Sequence, residues 1–344
     1  MKYQVVRFVL LILLTGAAAL GWLIYDIQAF MIQPLPLTER AIFTIEKGMS
    51  LRDVSAGLAR SGWLTKPYYL RLAGRHSGQA TAIKAGEYAL IPGMDPRSLL
   101  EMFVAGRVVQ YPITLPEGWS FRQILKALAD NPILRQSLTE HSPAGVMRQL
   151  GVEEPFLEGL LFPDTYHFSR GTTDIEILRR SYREMKSKLA EEWANRALDL
   201  PYQNEYEALI MASIIEKETG FAEERATIAG VFVRRLERRM KLQTDPTVIY
   251  AMDDAYAGDI KRADLTIDSP YNTYLYPGLP PTPIASPGRA AIHAALHPEA
   301  GDSLYFVAMG SGRHYFSATL VEHNRAVARY QLSRRSDSQE KVQE

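Results

Sequence analysis

The sequence predicts an α+β protein in three parts: a long apolar N-terminal helix, a small α+β module of short strands and helices, and a larger mixed α/β domain. Three observations predict it. Residues Phe8–Tyr25 form an uncharged run of 18 residues. A pattern of short strand, Gly turn and Ser-capped helix then recurs along the next part of the chain. Beyond residue 150 the repeat fades, and longer amphipathic helices and, near the C-terminus, two short β-type runs follow.

Composition narrows the function. At 344 residues the chain has room for two or three domains. Apolar content of 47% and charged content of 23% are ordinary for a globular protein. The 39 basic and 39 acidic residues cancel, so no global charge argues for a nucleic-acid partner. Cysteine is absent, which excludes disulfides and thiol catalysis.

The run FVLLILLTGAAALGWLIY (8–25) is at the lower end of what crosses a bilayer as a helix. Lys2 and Arg7 precede it, which keeps residues 1–7 in the cytoplasm and sends the rest outward. Ala17–Ala19 also offer small residues for a signal peptidase. The apolar run continues past them to Ile24, which favours an uncleaved anchor. A linker with Pro34 and Pro36 is expected over 26–40.

The repeat is clearest in two copies. FTIEKGMSLRDV begins at Phe43 and ITLPEGWSFRQI at Ile113, seventy residues later, with Thr, Gly, Ser and Arg in register. Each reads as a strand, a Gly turn, a Ser N-cap and an amphipathic helix. Weaker echoes run from Tyr88 through Gly93 to Asp95-Pro96, and from Tyr166 through Gly171 to Thr173-Asp174. The module over 41–110 resembles LysM-type glycan-binding domains, and 111–155 is a second repeat-like α+β segment.

In the domain expected over 156–333, a helix is predicted from Asp174 to about Ala197 and a loop over 198–204. The next helix carries Ala212-Ser-Ile-Ile-Glu-Lys-Glu-Thr-Gly220. At ~100° per residue, Ile210, Met211, Ile214 and Ile215 fall within about 80° of Glu218, whereas Glu216 points toward Leu209, Ala212 and Ser213. A carboxylate on a burying face, near a helix C-terminus, is driven toward its neutral form. That is what a general acid needs. The competing view is a solvated last turn closed by Gly220 as a left-handed cap. A further helix is expected over about 223–240, with Arg234, Arg235, Arg238 and Arg239 as a solvated face.

Three loops follow that are rich in polar and aromatic groups. Leu242–Thr247 offers Gln243, Thr244 and Asp245, the last also a fitting N-cap before Pro246. Ser269–Tyr274 offers Tyr271, Asn272 and Tyr274, rings to stack on a sugar and an amide for its hydroxyls. Gly278–Gly288 is stiffened by Pro280, Pro281, Pro283 and Pro287, and Ser286-Pro287 is expected to cap a helix through His297. With Asp164 and Tyr166, these give the candidate substrate-binding residues. His293 and His297 share a helix face, but no acidic third ligand is evident, so neither metal nor cofactor is expected. A hairpin over about 303–316, a helix over 319–332 and a polar tail over 334–344 close the chain.

Taken together, LEGLLFPDTY (157–166), ASIIEKET (212–219), LQTDPTVIY (242–250), YNTY (271–274), GLPPTPIASPG (278–288) and YFVA (305–308) resemble the YceG-like family of endolytic murein transglycosylases. The resemblance implies a single-pass enzyme of the bacterial inner membrane with its catalytic domain in the periplasm. It implies peptidoglycan glycan strands as substrate, cut between N-acetylmuramic acid and N-acetylglucosamine to give 1,6-anhydro ends, and Glu218 as the catalytic residue. Implied partners are the cell-wall synthesis machinery, such as penicillin-binding proteins. Two alternatives stay open: a hydrolytic muramidase with Asp245 or Glu216 as second carboxylate, and a membrane-anchored glycan-binding scaffold without chemistry.

Overall fold

The computed structural model describes residues 2–152, 156–310 and 312–332. The polar tail over 334–344 and part of the boundary near residue 155 lie outside them. The chain divides into two compact units, one of residues 1–111 with 167–171, the other of 112–166 with 172–344.

The first unit begins with helix α1 (Lys2–Met31), long and apolar enough over Tyr3–Met31 to cross a membrane. It runs six residues into the stretch expected as linker, and the reason is packing. Phe30 and Met31 are buried in the core of the unit, and Lys66 Nζ sits 2.8 Å from the Asp26 carboxylate. The module follows as β1 (Ala41–Ile45), α2 (Leu51–Arg60), α3 (Pro67–His76), β2 (Gly86–Leu90) and α4 (Pro96–Ala105). β1 and β2 pair antiparallel, with Ala41 opposite Leu90 and Ile45 opposite Gly86. Val54, Leu58, Leu70, Tyr88, Leu99 and Phe103 fill the space between sheet and helices.

The second unit contains β3 (Tyr111–Thr114) from Pro112 onward, α5 (Phe121–Ala129), α6 (Pro143–Leu150), the start of β4 (Thr165–Phe168) and α7 (Asp174–Ala194). Then come α8 (Glu205–Glu218), α9 (Arg225–Glu237), α10 (Asp245–Met252), α11 (Arg289–Leu296), β5 (Tyr305–Ala308), β6 (His314–Ser317) and α12 (Leu320–Val327). β5 and β6 form the expected hairpin. Among the described residues all three sheets are two-stranded, so helix packing supplies most of the core.

All four copies of the repeat take one local form. After the strand, a Gly with positive φ (Gly48 92°, Gly93 85°, Gly118 74°, Gly171 93°) turns the chain. Two residues later Ser50, Asp95, Ser120 or Thr173 caps the next helix. Three of them close a capping box with Asp53, Gln123 or Glu176, pairing orphan donors that a helix start otherwise leaves to water.

α8 is the axis of the second unit. Every residue from Ala208 to Ile215 is buried, Ser213 included. α7, α9, α10 and α11 pack around it. The single burying arc expected from the sequence is therefore a helix buried on all sides. Ser213 is accommodated because its hydroxyl donates to the Ile210 carbonyl and accepts the Ile284 amide at 3.0 Å.

Candidate active site around Glu218

Glu218 is the last residue of α8. Thr219 leaves the helix in an extended conformation (φ −144°, ψ 135°), and Gly220 is not left-handed, so the Gly cap of the competing view does not form. The helix therefore stops at the carboxylate instead of turning over it. Part of Glu218 still reaches the surface. Its carboxyl is nonetheless crowded from water, which pushes its pKa up to about 7, and neighbouring Asp245 adds to the rise. The Thr244 hydroxyl donates a hydrogen bond to Glu218 Oε1, and Arg235 lies close enough to attract the charged form. Both oppose the rise, more weakly than burial drives it.

Thr244 is held by two other threonines. Its amide donates to Thr273 Oγ1 at 3.1 Å, Thr247 and Thr273 hydroxyls are 2.9 Å apart, and Thr247 Oγ1 donates to the Thr244 carbonyl at 2.8 Å. All three are buried. Gln243 adopts a left-handed φ of 52° to enter this arrangement, donates its amide to the Thr273 carbonyl, and leaves its side chain exposed. Thr244, rather than Asp245, is the N-cap of α10. Asp245 is the first helical residue, with Pro246 behind it, and accepts a 2.6 Å hydrogen bond from the Tyr274 hydroxyl.

The fold thus brings Thr244, Asp245 and Tyr274 to Glu218, with Gln243 beside them. Asn272 plays a different part. It is fully buried, its Nδ2 donates to the carbonyls of Leu265 and Ile267, and its Oδ1 accepts the Tyr274 amide. It sets the loop that aims Tyr274, with no polar atom left for sugar hydroxyls. Asp164 and Tyr166 line a separate cavity of about 420 Å³ with Arg180, Arg183 and Glu184, and the Tyr166 hydroxyl donates to the Phe162 carbonyl. Tyr271 lines another cavity, beside Lys217 and Pro246.

Glu216 faces away from Glu218 as expected, but it is not solvated. It accepts the Gly288 amide at 3.0 Å, lies 3.8 Å from the Arg225 guanidinium, and burial raises its pKa. Gly288 is the N-cap of α11, which places Ser286 and Pro287 before the helix and not at its cap.

Other expectations change in the fold. Arg235 is 7% exposed: its guanidinium donates to the carbonyls of Leu304, Lys241 and Leu242 and stacks over Tyr305, while Arg238 and Arg239 stay exposed. The pair His293 and His297 gains an acidic neighbour in Glu192 of α7, with ligand atoms of all three within 4.8 Å. Glu192 is engaged by Arg289 at 2.7 Å, and both ring nitrogens of His297 lie against backbone carbonyls, of His293 and Asn195. Sequence spacing could not find Glu192, because about a hundred residues separate it from the histidines.

A protonatable carboxyl on a rigid helix end, oriented by a hydroxyl and flanked by a carboxylate and a phenol, is an acid/base centre. Residues 43–329 match the YceG-like family, and the chain belongs to it. It is 35% identical over 280 residues to the endolytic murein transglycosylase of Bacillus subtilis (strain 168), covering 76% of each chain. It is 27% identical over 368 aligned positions to the endolytic murein transglycosylase of Streptococcus pneumoniae serotype 2 (strain D39 / NCTC 7466), covering 96% of this chain and 65% of that one. A 2.6 Å crystal structure of a yceG-like protein from Listeria monocytogenes is similar with a TM-score of 0.53 at 32% identity, covering 84% of this chain and 99% of that chain.

Proposed function

We propose that this chain is an endolytic murein transglycosylase that cuts peptidoglycan glycan strands between N-acetylmuramic acid and N-acetylglucosamine, with Glu218 as its acid/base. The observation that carries this is the Glu218 carboxyl, raised to about 7 and held by Thr244 at the end of a buried helix. Family membership and the names of the relatives support the substrate and the reaction.

Protonated Glu218 gives its proton to the bridging oxygen as the bond from that oxygen to C1 of the muramic acid breaks. Positive charge develops at C1. The C6 hydroxyl of the same ring forms a new bond to C1, and its proton passes to the Glu218 carboxylate. Atoms balance without water: one strand becomes a 1,6-anhydro end and a free hydroxyl end, and the enzyme regains its protonated acid. Asp245 lies close enough to stabilise the positive charge, while the Tyr274 hydroxyl fixes its carboxylate.

α1 anchors the enzyme in the inner membrane with both units on the periplasmic side, near the penicillin-binding proteins that build the strands. The first unit serves as a LysM-like glycan-binding module.

The deciding experiment digests purified sacculi and analyses the products by mass spectrometry. Anhydro-muramyl ends are expected. Reducing ends would replace the reading with hydrolysis assisted by Asp245, and intact glycan would leave only a scaffold.

A further inference from the structure

A second carboxyl behaves like Glu218 and has no place in the reaction above. Glu158 stands in the turn between α6 and β4, and burial pushes its pKa up to about 7. Its Oε1 accepts the amide of Phe121, the first residue of α5, which satisfies an orphan donor of that helix. Its Oε2 accepts a hydrogen bond from the Tyr250 hydroxyl at 3.2 Å, and the Gly159 amide also lies against the carboxyl. A structural role at α5 explains one oxygen. Glu158 also lines a cavity of about 650 Å³.

The cavity gathers what a pyranose ring needs. Tyr250 of α10 and Tyr271 line it, ring centroids 4.9 Å apart and tilted by 56°. Tyr271 is fixed by its hydroxyl, 2.8 Å from Thr282 Oγ1. Ser120, Gln123 and Ser269 supply hydroxyl and amide groups around the rings. The charged groups facing Glu158 are few. Arg122 of α5 pairs with Asp253 and Asp254 after α10 and pulls only weakly on the Glu158 carboxyl, and Lys217 of α8 reaches the Gly118 carbonyl at 3.3 Å. The carboxyl thus has no ion-pair partner among the described residues and faces the cavity beside two aromatic rings. Lys217 and Pro246, also in the lining, are the chain neighbours of Glu218 and Asp245, which places the cavity next to the acid.

We propose that this cavity is a subsite for one N-acetylated sugar of the strand adjoining the cleaved bond, stacked on Tyr250 and Tyr271 and hydrogen-bonded by the carboxyl of Glu158. It rests on the reading of the chain as a glycan-strand transglycosylase. A neutral carboxyl both donates and accepts, so it matches a hydroxyl or an acetamido group, whereas a carboxylate only accepts.

The test uses the full chain carrying Glu218→Gln, which binds without turnover and removes the other carboxyl that titrates near pH 7. Affinity for a purified, uncrosslinked tetrasaccharide of alternating N-acetylglucosamine and N-acetylmuramic acid is measured by calorimetry from pH 5.5 to 8.5, with thermal melts to confirm folding. Affinity should fall about tenfold as pH rises through about 7, the scale of one lost hydrogen bond. Adding Glu158→Gln should flatten that dependence, and Tyr271→Ala should weaken binding at least tenfold at every pH. A pH dependence unchanged by Glu158→Gln, or undiminished binding by a folded Tyr271→Ala protein, would overturn the subsite. Wild-type protein assayed on sacculi separates the two readings: cleavage with an unaffected tetrasaccharide affinity overturns the subsite alone, and no cleavage overturns the transglycosylase reading and the subsite with it.

Discussion

The Thr244 hydroxyl donates a hydrogen bond to the Glu218 carboxylate from across a separation of 26 residues in the chain. This bond favours the charged form, so it restrains the rise that burial imposes. Thr244→Val keeps the shape and removes the donor. The pKa of Glu218 should then climb further, and the alkaline limb of the pH–rate profile should move to higher pH. Thr244→Ser should leave that limb near its wild-type position. A profile identical in all three proteins would show that the bond does not tune the acid.

Glu218→Gln should lower turnover on sacculi by ~10²–10⁴-fold, the usual scale of general acid–base catalysis, with the fold retained. Glu216→Gln retains an acceptor for the Gly288 amide and loses only the contact with Arg225 at 3.8 Å. Its turnover should stay within about tenfold of wild type. A dead Glu216→Gln enzyme beside an active Glu218→Gln one would transfer the acid role to the other glutamate.

The reaction starts from the protonated acid. Wild-type kcat/KM should therefore fall as pH rises through about 7, the value to which burial lifts Glu218. A rate that climbs steadily from pH 6 to pH 9 would contradict a protonated starting state.

Stability should follow the same titration. Glu158 and Glu218 hold protons when folded at a pH where a carboxyl of ordinary pKa 4.5 has released them. Their contribution is full below about 4.5 and is lost as pH rises through about 7, because the unfolded chain binds fewer protons there. Glu158→Gln or Glu218→Gln should each recover stability at pH 8, by at most about 3 kcal/mol. Denaturant midpoints compared at pH 5 and pH 8 check this, and equal differences at both would count against it.

Asn272→Ala leaves the part-buried carbonyls of Leu265 and Ile267 without their side-chain donors and frees the Tyr274 amide. It should cost about 2–4 kcal/mol in denaturant unfolding. Because Tyr274 loses its support, kcat should fall further than KM rises. A variant of wild-type stability would mean that water replaces the amide.

What could be read before the fold was known follows from the range of the interactions. The turn and cap chemistry of Gly48–Ser50 or Gly118–Ser120 acts within a few residues, so all four copies were legible. Glu218 was legible as a carboxyl set among Ile214, Ile215 and Met211, although α8 proved buried all round. Arg235 was not, because the Leu304 carbonyl that accommodates its guanidinium lies 69 residues away. Asn272 carries the same residue type whether it meets a sugar or a carbonyl, and only its burial distinguishes them. Glu158 and Glu192 escaped notice for a related reason: the groups that give each its setting, Tyr250 and His293, come from distant parts of the chain.

The continuity of α1 into the core of the first unit has a mechanical consequence. At 1.5 Å per residue its 30 residues make a rod of ~45 Å. Phe30, Met31 and the Asp26–Lys66 pair clamp its far end, so there is no swivel between rod and module. If the apolar part of the rod spans a bilayer as proposed, the bilayer would dictate both the height and the tilt of the first unit. A short Gly-Ser insertion after Tyr25 would turn that rigid mast into a tether, and the module would lose its bearing on the membrane while keeping its core intact.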